Sequence, residues 1–345
     1  MNLLPPSPAT ASVKRGQGYL KALVTGGTGF IGSHLVEALL QKGVHVRCLL
    51  RETSDQKWLK GLPIERVAGD CSDKASLRKA VKGVDQVFHL AGVTKATKEK
   101  SYFDVNGYGT DNLIHACLEE NPHLQKFTYL SSQASAGPSR NGCRKKESDE
   151  CEPVSPYGRS KRMGEEFVLA HSHELPLVIL RPSAVYGPRE KDIYSYFKLV
   201  SKRMKLCFSG WNPRLSLIYV DDVVQALLLA SKIAEPRGDI FFLSDGHDYR
   251  LEEIGDTFAQ VMGVSAFRIP VPEWALHFAA AFSEVFSRLS KKPPLISKGK
   301  VEEIVRKDWV CDITRAREFL CFEPRFPLAQ GATLTVDWYR KENWL

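Results

Sequence analysis

Eight cysteines are spread through the 345 residues without a single Cys-x-x-Cys pair. That spacing gives no zinc-ribbon or thioredoxin-like motif, so no metal site is expected. Most of the eight sit in apolar patterns and read as reduced core residues of a cytoplasmic protein. No apolar run is long enough to span a bilayer. The most apolar stretch, Trp274 to Phe286, is short and carries His277 and Glu284. The N-terminus, MNLLPPSPATASVKRGQG, puts prolines where a secretory signal needs an apolar core, which argues against secretion. Internal repeats and long low-complexity tracts are missing too. The formal net charge is +8, but the basic residues are scattered. No RNA-binding aromatic motif or helix-turn-helix signal accompanies them, so they read as a solvated surface and no nucleic-acid partner is expected.

What is present alternates. Apolar strand-like runs at Leu20–Thr25, VHVRCLL, RVAGD, DQVFHLAG, KFTYLSS and LPLVILRP are interleaved with helical patterns. Such alternation predicts an α/β fold, a doubly wound parallel sheet with helices on both faces. The segment GPSRNGCRKKESDECEP reads as an exposed loop. Beyond Arg181 the pattern loosens into a smaller, mainly helical lobe, to which YVDDVVQALLLASK and DIFFLSDG are exceptions that return to the core. The predicted division is an N-terminal extension at 1–19, a dinucleotide-binding core at 20–182 and 216–246, and a substrate lobe at 183–215 and 247–345.

Four glycines, Gly26, Gly27, Gly29 and Gly32, fall between the first strand and a helical run that begins near Ile31. Glycine lets a chain turn sharply and lets a ligand approach the backbone. The helix behind it aims free N–H groups and a positive dipole end at the turn, which suits a pyrophosphate. The alternative is a tight strand–helix turn that binds nothing. The second strand ends in Leu50 and Arg51, where a carboxylate would bind the free ribose hydroxyls of NAD. Arg51 in that place favours the 2′-phosphate of NADP over NAD. Asp70 ends the third strand, placed to bind the adenine amino group or to cap the helix that starts near Asp73.

Tyr157 and Lys161, in SPYGRSK, stand four apart on one helix face. A free tyrosine has a pKa near 10. A neighbouring ammonium would favour the phenolate and make Tyr157 an acid–base group for an alcohol or ketone. Ser132, in YLSSQASAG, can hold the same substrate oxygen; Ser131 and Ser132 can also simply satisfy backbone groups at the strand end. Asn106 reads either as an N-cap or as the holder of a water in a proton relay to Lys161. His89 reads as a packed strand residue, and His171 and His173 as helix-end residues.

Together Gly26-x-x-Gly29-x-x-Gly32, Leu90-Ala91-Gly92, Asn106, Ser132 and Tyr157/Lys161 resemble the extended short-chain dehydrogenase/reductase family. RPSAVYGP and YVDDVV are similar to its NAD-dependent epimerase/dehydratase branch, and the likeness runs from about Lys21 to the C-terminal tail. The resemblance implies a Rossmann core and Ser132, Tyr157 and Lys161 as catalytic residues, with Asn106 beside them. It implies a nicotinamide dinucleotide held by Gly26, Thr28, Gly29, Phe30, Ile31, Gly32, Arg51, Asp70, Cys71, Leu90, Ala91, Gly92, Tyr157 and Lys161. Ser183, Arg189, Arg214 and Tyr219 are the implied substrate residues. A homodimer pairing the helices after Asn106 and Tyr157 is also implied.

Within the family, nucleotide-sugar enzymes usually carry asparagine where this chain has Ser183 and arginine where it has Leu215. The acidic residues of the dehydratases are replaced by Gln133 and Ala134. The stretch VRCLLRETSD is similar to the dihydroflavonol-reductase and 3β-hydroxysteroid-dehydrogenase groups, which act on less polar substrates. The segment around Trp274–Phe286 reads as a core helix of the lobe, as an apolar pocket wall with Arg288, Lys291 and Lys292 at its rim, or as a weak contact to an anionic membrane surface. The expected activity is NADP-dependent interconversion of a ketone and a secondary alcohol on a small, rather apolar molecule. The alternatives are a nucleotide-sugar epimerase with tightly bound NAD and a non-catalytic NADP-binding sensor or scaffold.

Overall fold

The computed structural model describes residues 14–15, 18–140, 142–234, 237–290, 294, 297–305 and 308–345. Most of the extension read at 1–19 therefore lies outside the described residues. After a short hairpin of Lys14–Arg15 with Gly18–Tyr19 come six strands of the main sheet: β1 (Lys21–Thr25), β2 (His45–Leu50), β3 (Glu65–Ala68), β4 (Gln86–His89), β5 (Lys126–Leu130) and β6 (Leu177–Pro182). Between them run α1 (Phe30–Gln41), α2 (Lys74–Val81), α3 (Gly109–Glu120) and α4 (Pro156–Ala170). A further strand, β10 (Arg237–Leu243), joins them in one seven-stranded sheet of order β10-β6-β5-β4-β1-β2-β3. Every pairing in it is parallel. This is the predicted doubly wound fold, and β5 and β6 are buried throughout, as strands covered on both faces must be.

Two apolar layers sandwich the sheet. One contains Leu35, Val36 and Leu39 of α1 with Val223, Val224 and Leu227 of helix α6 (Val220–Ala230). The other contains Leu77, Ala80 and Val81 of α2, Leu113, Ile114 and Cys117 of α3 and Val168 of α4. The first layer also takes in Ile313, Ala316, Leu320 and Phe322, around helix α10 (Thr314–Leu320). The boundary at residue 247 had put this stretch with the substrate lobe. Its apolar side instead closes the sheet beside β10 and α6.

The lobe is built from β7 (Ala184–Tyr186), α5 (Asp192–Ser201), β8 (Met204–Phe208), β9 (Leu217–Tyr219), α7 (Leu251–Met262), β11 (Phe267–Val271), α8 (Glu273–Ser290), α9 (Lys298–Val305) and α11 (Leu328–Lys341). Two short parallel pairs hold it: β8 with β11 ties its two chain segments together, and β7 with β9 joins the first of them to the strand before α6. A separate aromatic core of Phe197, Phe258, Tyr186, Tyr219 and Tyr339 fills it. The loop at 137–153 is largely exposed, as its composition predicts, but it is anchored at Lys145. Lys145 is buried, its N–H donates to Val310 O at 2.9 Å, and its carbonyl accepts from Asp312 N–H at 2.9 Å. The loop is thereby stitched to the C-terminal segment that closes the sheet.

Of the eight cysteines, none is in a disulfide; Cys48, Cys71, Cys117 and Cys311 are buried, while Cys143 and Cys321 are exposed. The core reading therefore holds for half of them.

Candidate active site

The glycine turn joins β1 to α1 at the carboxyl edge of the sheet. Gly26 adopts φ +74°, a conformation L side chains rarely take. A Cβ on it would lie 2.6 Å from Leu90 C and Ala91 N, and one on Gly32 would lie 2.1 Å from Gly26 O. The turn is thus pressed against the end of β4, and α1 is drawn close behind it. No side chain caps α1, and no acidic residue sits in its first turn. Its N-terminal N–H groups are not taken up by a side-chain cap, so the cradle fits a dinucleotide pyrophosphate. Thr25 Oγ1 accepts from Ala91 N–H at 3.2 Å and pairs with His89 Nδ1 at 2.7 Å, fixing the Leu90–Gly92 edge beside the turn.

Leu50 is buried, while the Arg51 side chain is 62% exposed with Nε 4.0 Å from Asp70 Oδ2. Both residues stand at the edge where an adenosine end would lie. Asp70 does not cap α2. Its Oδ1 accepts from Ser72 N–H and Oγ, and Asp73 is the cap, accepting from Ala75 N–H at 3.0 Å. Cys71 is buried against α3, and burial pushes its thiol up to about 12. Only its backbone is offered outward, and its carbonyl already accepts from Asn112 at 3.1 Å.

His89 is a structural residue. Its ring bridges Thr25 and Thr110, at 2.7 and 2.9 Å, in the buried layer under the site. Burial, then the nearby Lys161 ammonium, lowers its pKa from 6.5 to about 3. The unfolded chain binds this proton near pH 6.5 and the folded chain does not. The stability that neutral His89 supports is present above 6.5 and is lost as pH falls toward 3. Denaturant midpoints measured from pH 7 down to 4 should fall less steeply in His89→Gln than in the wild type, by up to about 1.4 kcal/mol per pH unit. Parallel pH profiles of the two proteins would contradict this.

The chemical centre lies where β5 ends and α4 begins. Ser155 caps α4 by accepting from Gly158 N–H at 3.0 Å, with Pro156 in the first turn, so Tyr157 is held at the helix start. Ser132 follows β5, and its Oγ accepts from Ala134 N–H at 3.1 Å. Ser132 also hydrogen-bonds the Tyr157 phenol. Both face a cavity of about 1040 Å³ between the sheet edge and the lobe. Lys161 is buried one turn below; its Nζ donates to Leu130 O at 2.8 Å and sits 4.1 Å from the Tyr129 ring centroid.

The electrostatics differ from the sequence expectation. Desolvation pushes the Tyr157 phenol up to about 12; the Ser132 hydrogen bond pulls it down and Glu303 pushes it further up. Lys161 Nζ is turned to Leu130 O and the Tyr129 ring. Burial lowers Lys161 itself to about 7, against the attraction of Glu165. The resting pair is therefore a protonated phenol and an amine that exchanges its proton near neutrality.

Asn106 does not cap a helix. It is buried in the π-helical segment Phe103–Tyr108 that precedes α3. Its Oδ1 accepts from Val93 N–H at 2.7 Å, and its Nδ2 donates to Val93 O at 3.0 Å and Ser160 Oγ at 2.9 Å. It pins the Leu90–Val93 edge to α4. Ser131 is likewise held by a side chain: its Oγ donates to Glu165 Oε1 at 2.5 Å, as Ser135 Oγ does at 2.6 Å. Arg181 donates to both Glu165 oxygens, at 2.9 and 2.7 Å. Burial alone would raise Glu165, but the bonds from Arg181, Ser131 and Ser135 hold it below its usual value.

Of the four expected substrate residues only Ser183 lines the cavity. Its buried Oγ has no hydrogen-bond partner, and neither has the buried Nε2 of Gln133, which also lines it. Arg189 is turned the other way, donating to Ser33 Oγ at 3.0 Å and Glu37 Oε1 at 2.7 Å on α1. Arg214 is held by Asp308 at 2.7 Å and by Gly142 O at 2.7 Å. Tyr219 is packed in the lobe core against Tyr186 and Phe326. None of these three reaches the cavity. In their place stand Lys95, Asp192, Lys298, Lys300, Glu303 and Trp309, which the sequence did not single out.

Trp274, Phe278 and Phe282, read as core or pocket wall, do neither: each is about 70% exposed. Lys291 and Lys292, placed at the rim, lie outside the described residues. His171 pairs with Glu174 at 2.7 Å on the outer surface, where its donor atoms and those of Asp111 and His115 lie within 4.8 Å of one another.

The parallel sheet, the glycine cradle and the Ser132–Tyr157–Lys161 cluster define an enzyme of the extended short-chain dehydrogenase/reductase type, a class that works with a nicotinamide dinucleotide. More narrowly, residues 22–242 match the NAD dependent epimerase/dehydratase family, and the chain belongs to it. It is similar to a ceramide reductase of Caulobacter vibrioides, with 31% identity over 93% of this chain and 95% of the relative. A UDP-glucose 4-epimerase of Vibrio cholerae shares 27% identity over 93% of this chain and 96% of its own length. Among solved structures, that of gox2253 superposes with a TM-score of 0.78 at 28% identity, covering 93% of this chain and 98% of the other. Among the described residues, no helix is long and apolar enough to cross a membrane.

Proposed function

We propose that the protein is an NADP-dependent oxidoreductase that interconverts a ketone and a secondary alcohol on a rather apolar substrate. One observation carries the substrate class: among the described residues that line it, the cavity has no surplus positive charge. Its three described lysines are each paired, Lys95 with Asp192, Lys298 with Glu284 at 3.8 Å and Lys300 with Glu303 at 2.9 Å. Glu99, a fourth wall carboxylate, pairs with Arg159 outside the cavity at 3.0 Å. A nucleotide diphosphate is held most strongly by unpaired cations, and Arg189 and Arg214 are tied elsewhere. The relatives include both a reductase and an epimerase, so likeness alone does not choose between them.

In the reducing direction the Tyr157 phenol delivers a proton to the substrate oxygen, and in the oxidising direction it takes that proton back. Ser132 donates to the same oxygen. Lys161 restores the phenol proton, and Asn106 and Glu165 position the two segments that carry these groups. A bound nicotinamide ring supplies the hydride donor or acceptor. A phenol protonated at neutral pH suits ketone reduction.

Arg51 supports the choice of NADP, because its guanidinium is exposed and, among the described residues, its one carboxylate partner is Asp70 at 4.0 Å. Replacing Leu50→Asp together with Arg51→Asn should remove a charge-assisted contact of about 1.5–3 kcal/mol. The dissociation constant for NADPH should rise by about tenfold to a hundredfold, while NADH binding improves. Fluorescence titration with both dinucleotides checks this, and a wild type that prefers NADH would overturn the assignment. The substrate class is tested by melting curves of the NADPH complex: long-chain ketones should raise Tm, and UDP-sugars should not.

A further inference from the structure

Helix α8 is amphipathic with its apolar face outward. Leu276 and Ala280 point inward, packing with Val301 of α9. Glu284 and Ser287, on the same inner side, line the active-site cavity. Trp274, Phe278, Phe282 and Val285 follow one another at spacings of four, four and three, so they form a stripe along one face. They are 71%, 69%, 68% and 57% exposed, and Phe286 beside them is 62% exposed. The strand that leads into the helix adds Phe267 and Ile269, also exposed. Seven of the ten exposed large apolar side chains among the described residues thus fall in one stretch of 20 residues. Single exposed apolar residues need no explanation, but a clustered set on one face does.

The charge around this stretch selects an occupant. Lys202 and Arg203 are exposed at the start of β8, and Arg203 O accepts from Phe267 N–H at 2.8 Å. Arg268 lies between the two apolar strand residues, with 64% of its side chain exposed although it pairs with Glu252 at 3.4 Å. Past Phe286 the sequence carries Arg288, Lys291 and Lys292, and from Val285 to Val301 it contains no acidic residue. Of the two carboxylates on α8, Glu284 is turned inward to Lys298, and Glu273 pairs with His277 at 3.5 Å. A second copy of the chain laid on this face would bring basic flank against basic flank. An aromatic stripe bordered by cations instead matches an anionic lipid surface, with the rings at the acyl boundary and the cations at the headgroups.

We propose that α8, with the strand before it, docks the protein on the surface of an anionic phospholipid bilayer, lying in the interface and not crossing it. The wall of the catalytic cavity is then the inner side of the docked helix. This extends the apolar-substrate reading above, because a lipid-dissolved ketone would reach Tyr157 without crossing bulk water.

Vesicle co-sedimentation of the full chain tests this with no substrate present, so its outcome does not depend on the proposed activity. The wild type should bind vesicles of phosphatidylcholine with phosphatidylglycerol, bind phosphatidylcholine alone more weakly, and lose binding to the anionic vesicles as salt rises. Phe278→Ser with Phe282→Ser should lower the partition coefficient by more than about tenfold. Both side chains are solvent-exposed, so Tm and NADPH affinity should not move. Wild-type protein that stays in the supernatant with anionic vesicles overturns the proposal. So does a lipid-free, concentration-dependent dimer that the same two substitutions dissociate, since the face would then belong to a second copy.

Discussion

Tyr157→Phe should lower turnover by roughly 10²–10⁴, the usual contribution of a positioned acid–base group, while NADPH affinity and Tm stay near wild type. The substitution removes one oxygen and keeps the ring that packs edge-on to Tyr102 at 6.4 Å. The phenol's hydrogen bond runs to Ser132, on the substrate side, and not to the cofactor cradle. Lys161→Ala should behave differently. It removes the group that exchanges a proton near pH 7 and leaves Leu130 O without its buried donor. Activity should fall with a loss of stability as well. Steady-state turnover beside thermal melting separates the two variants. A Tyr157→Phe enzyme of full activity would show that the family likeness carries only the fold.

Glu165→Ala should produce the largest loss of stability. Glu165 and Arg181 are 0% and 1% exposed at their side chains and 2.7 Å apart. Removing the carboxylate strands a buried guanidinium whose Nη1 already has no partner. Breaking one side of such a pair costs about 3–5 kcal/mol. It also frees Ser131 and Ser135, which hold the segment carrying Ser132. Replacing both charges, Glu165→Ala with Arg181→Met, should recover much of the loss, because no unpaired charge is then left in the core. Urea unfolding of the three proteins measures this. A loss under about 1 kcal/mol in the single variant would mean that water reaches the guanidinium, contrary to the burial of this pair.

The parts of the site that were legible in the sequence are those whose chemistry is local. A turn pressed against the next strand needs Gly26 and Gly32, and that need is visible in the spacing alone. Tyr157 and Lys161 share a face because a helix puts residues four apart together. The sheet was legible because parallel strands buried on both faces are nearly continuous apolar runs. What failed was pairing across long separations. Arg214 and Arg189 sit next to motif residues, yet the first belongs to Asp308, 94 residues on, and the second to Glu37, 152 residues back. The cavity wall from Lys298 to Glu303 comes from a short helix whose sequence, KGKVEEIV, is like any solvated helix. Residues 311–322 were assigned by chain position to the lobe, although their apolar side closes the sheet. The α8 stripe was open to a core, a pocket-wall and a membrane-surface reading because apolar periodicity marks a face without telling which way it points.

The central claim, net hydride transfer to an apolar carbonyl, is tested most directly with NADPH carrying deuterium at the transferable position of the nicotinamide. The purified enzyme is given this dinucleotide with a long-chain ketone, and in a parallel reaction with a UDP-hexose. The account predicts that NADPH is consumed one-for-one with ketone, that the deuterium appears on the carbinol carbon of the alcohol, and that the UDP-hexose is unchanged. Inversion of the UDP-hexose without net consumption of dinucleotide, with the ketone untouched, would contradict it and make the protein an epimerase.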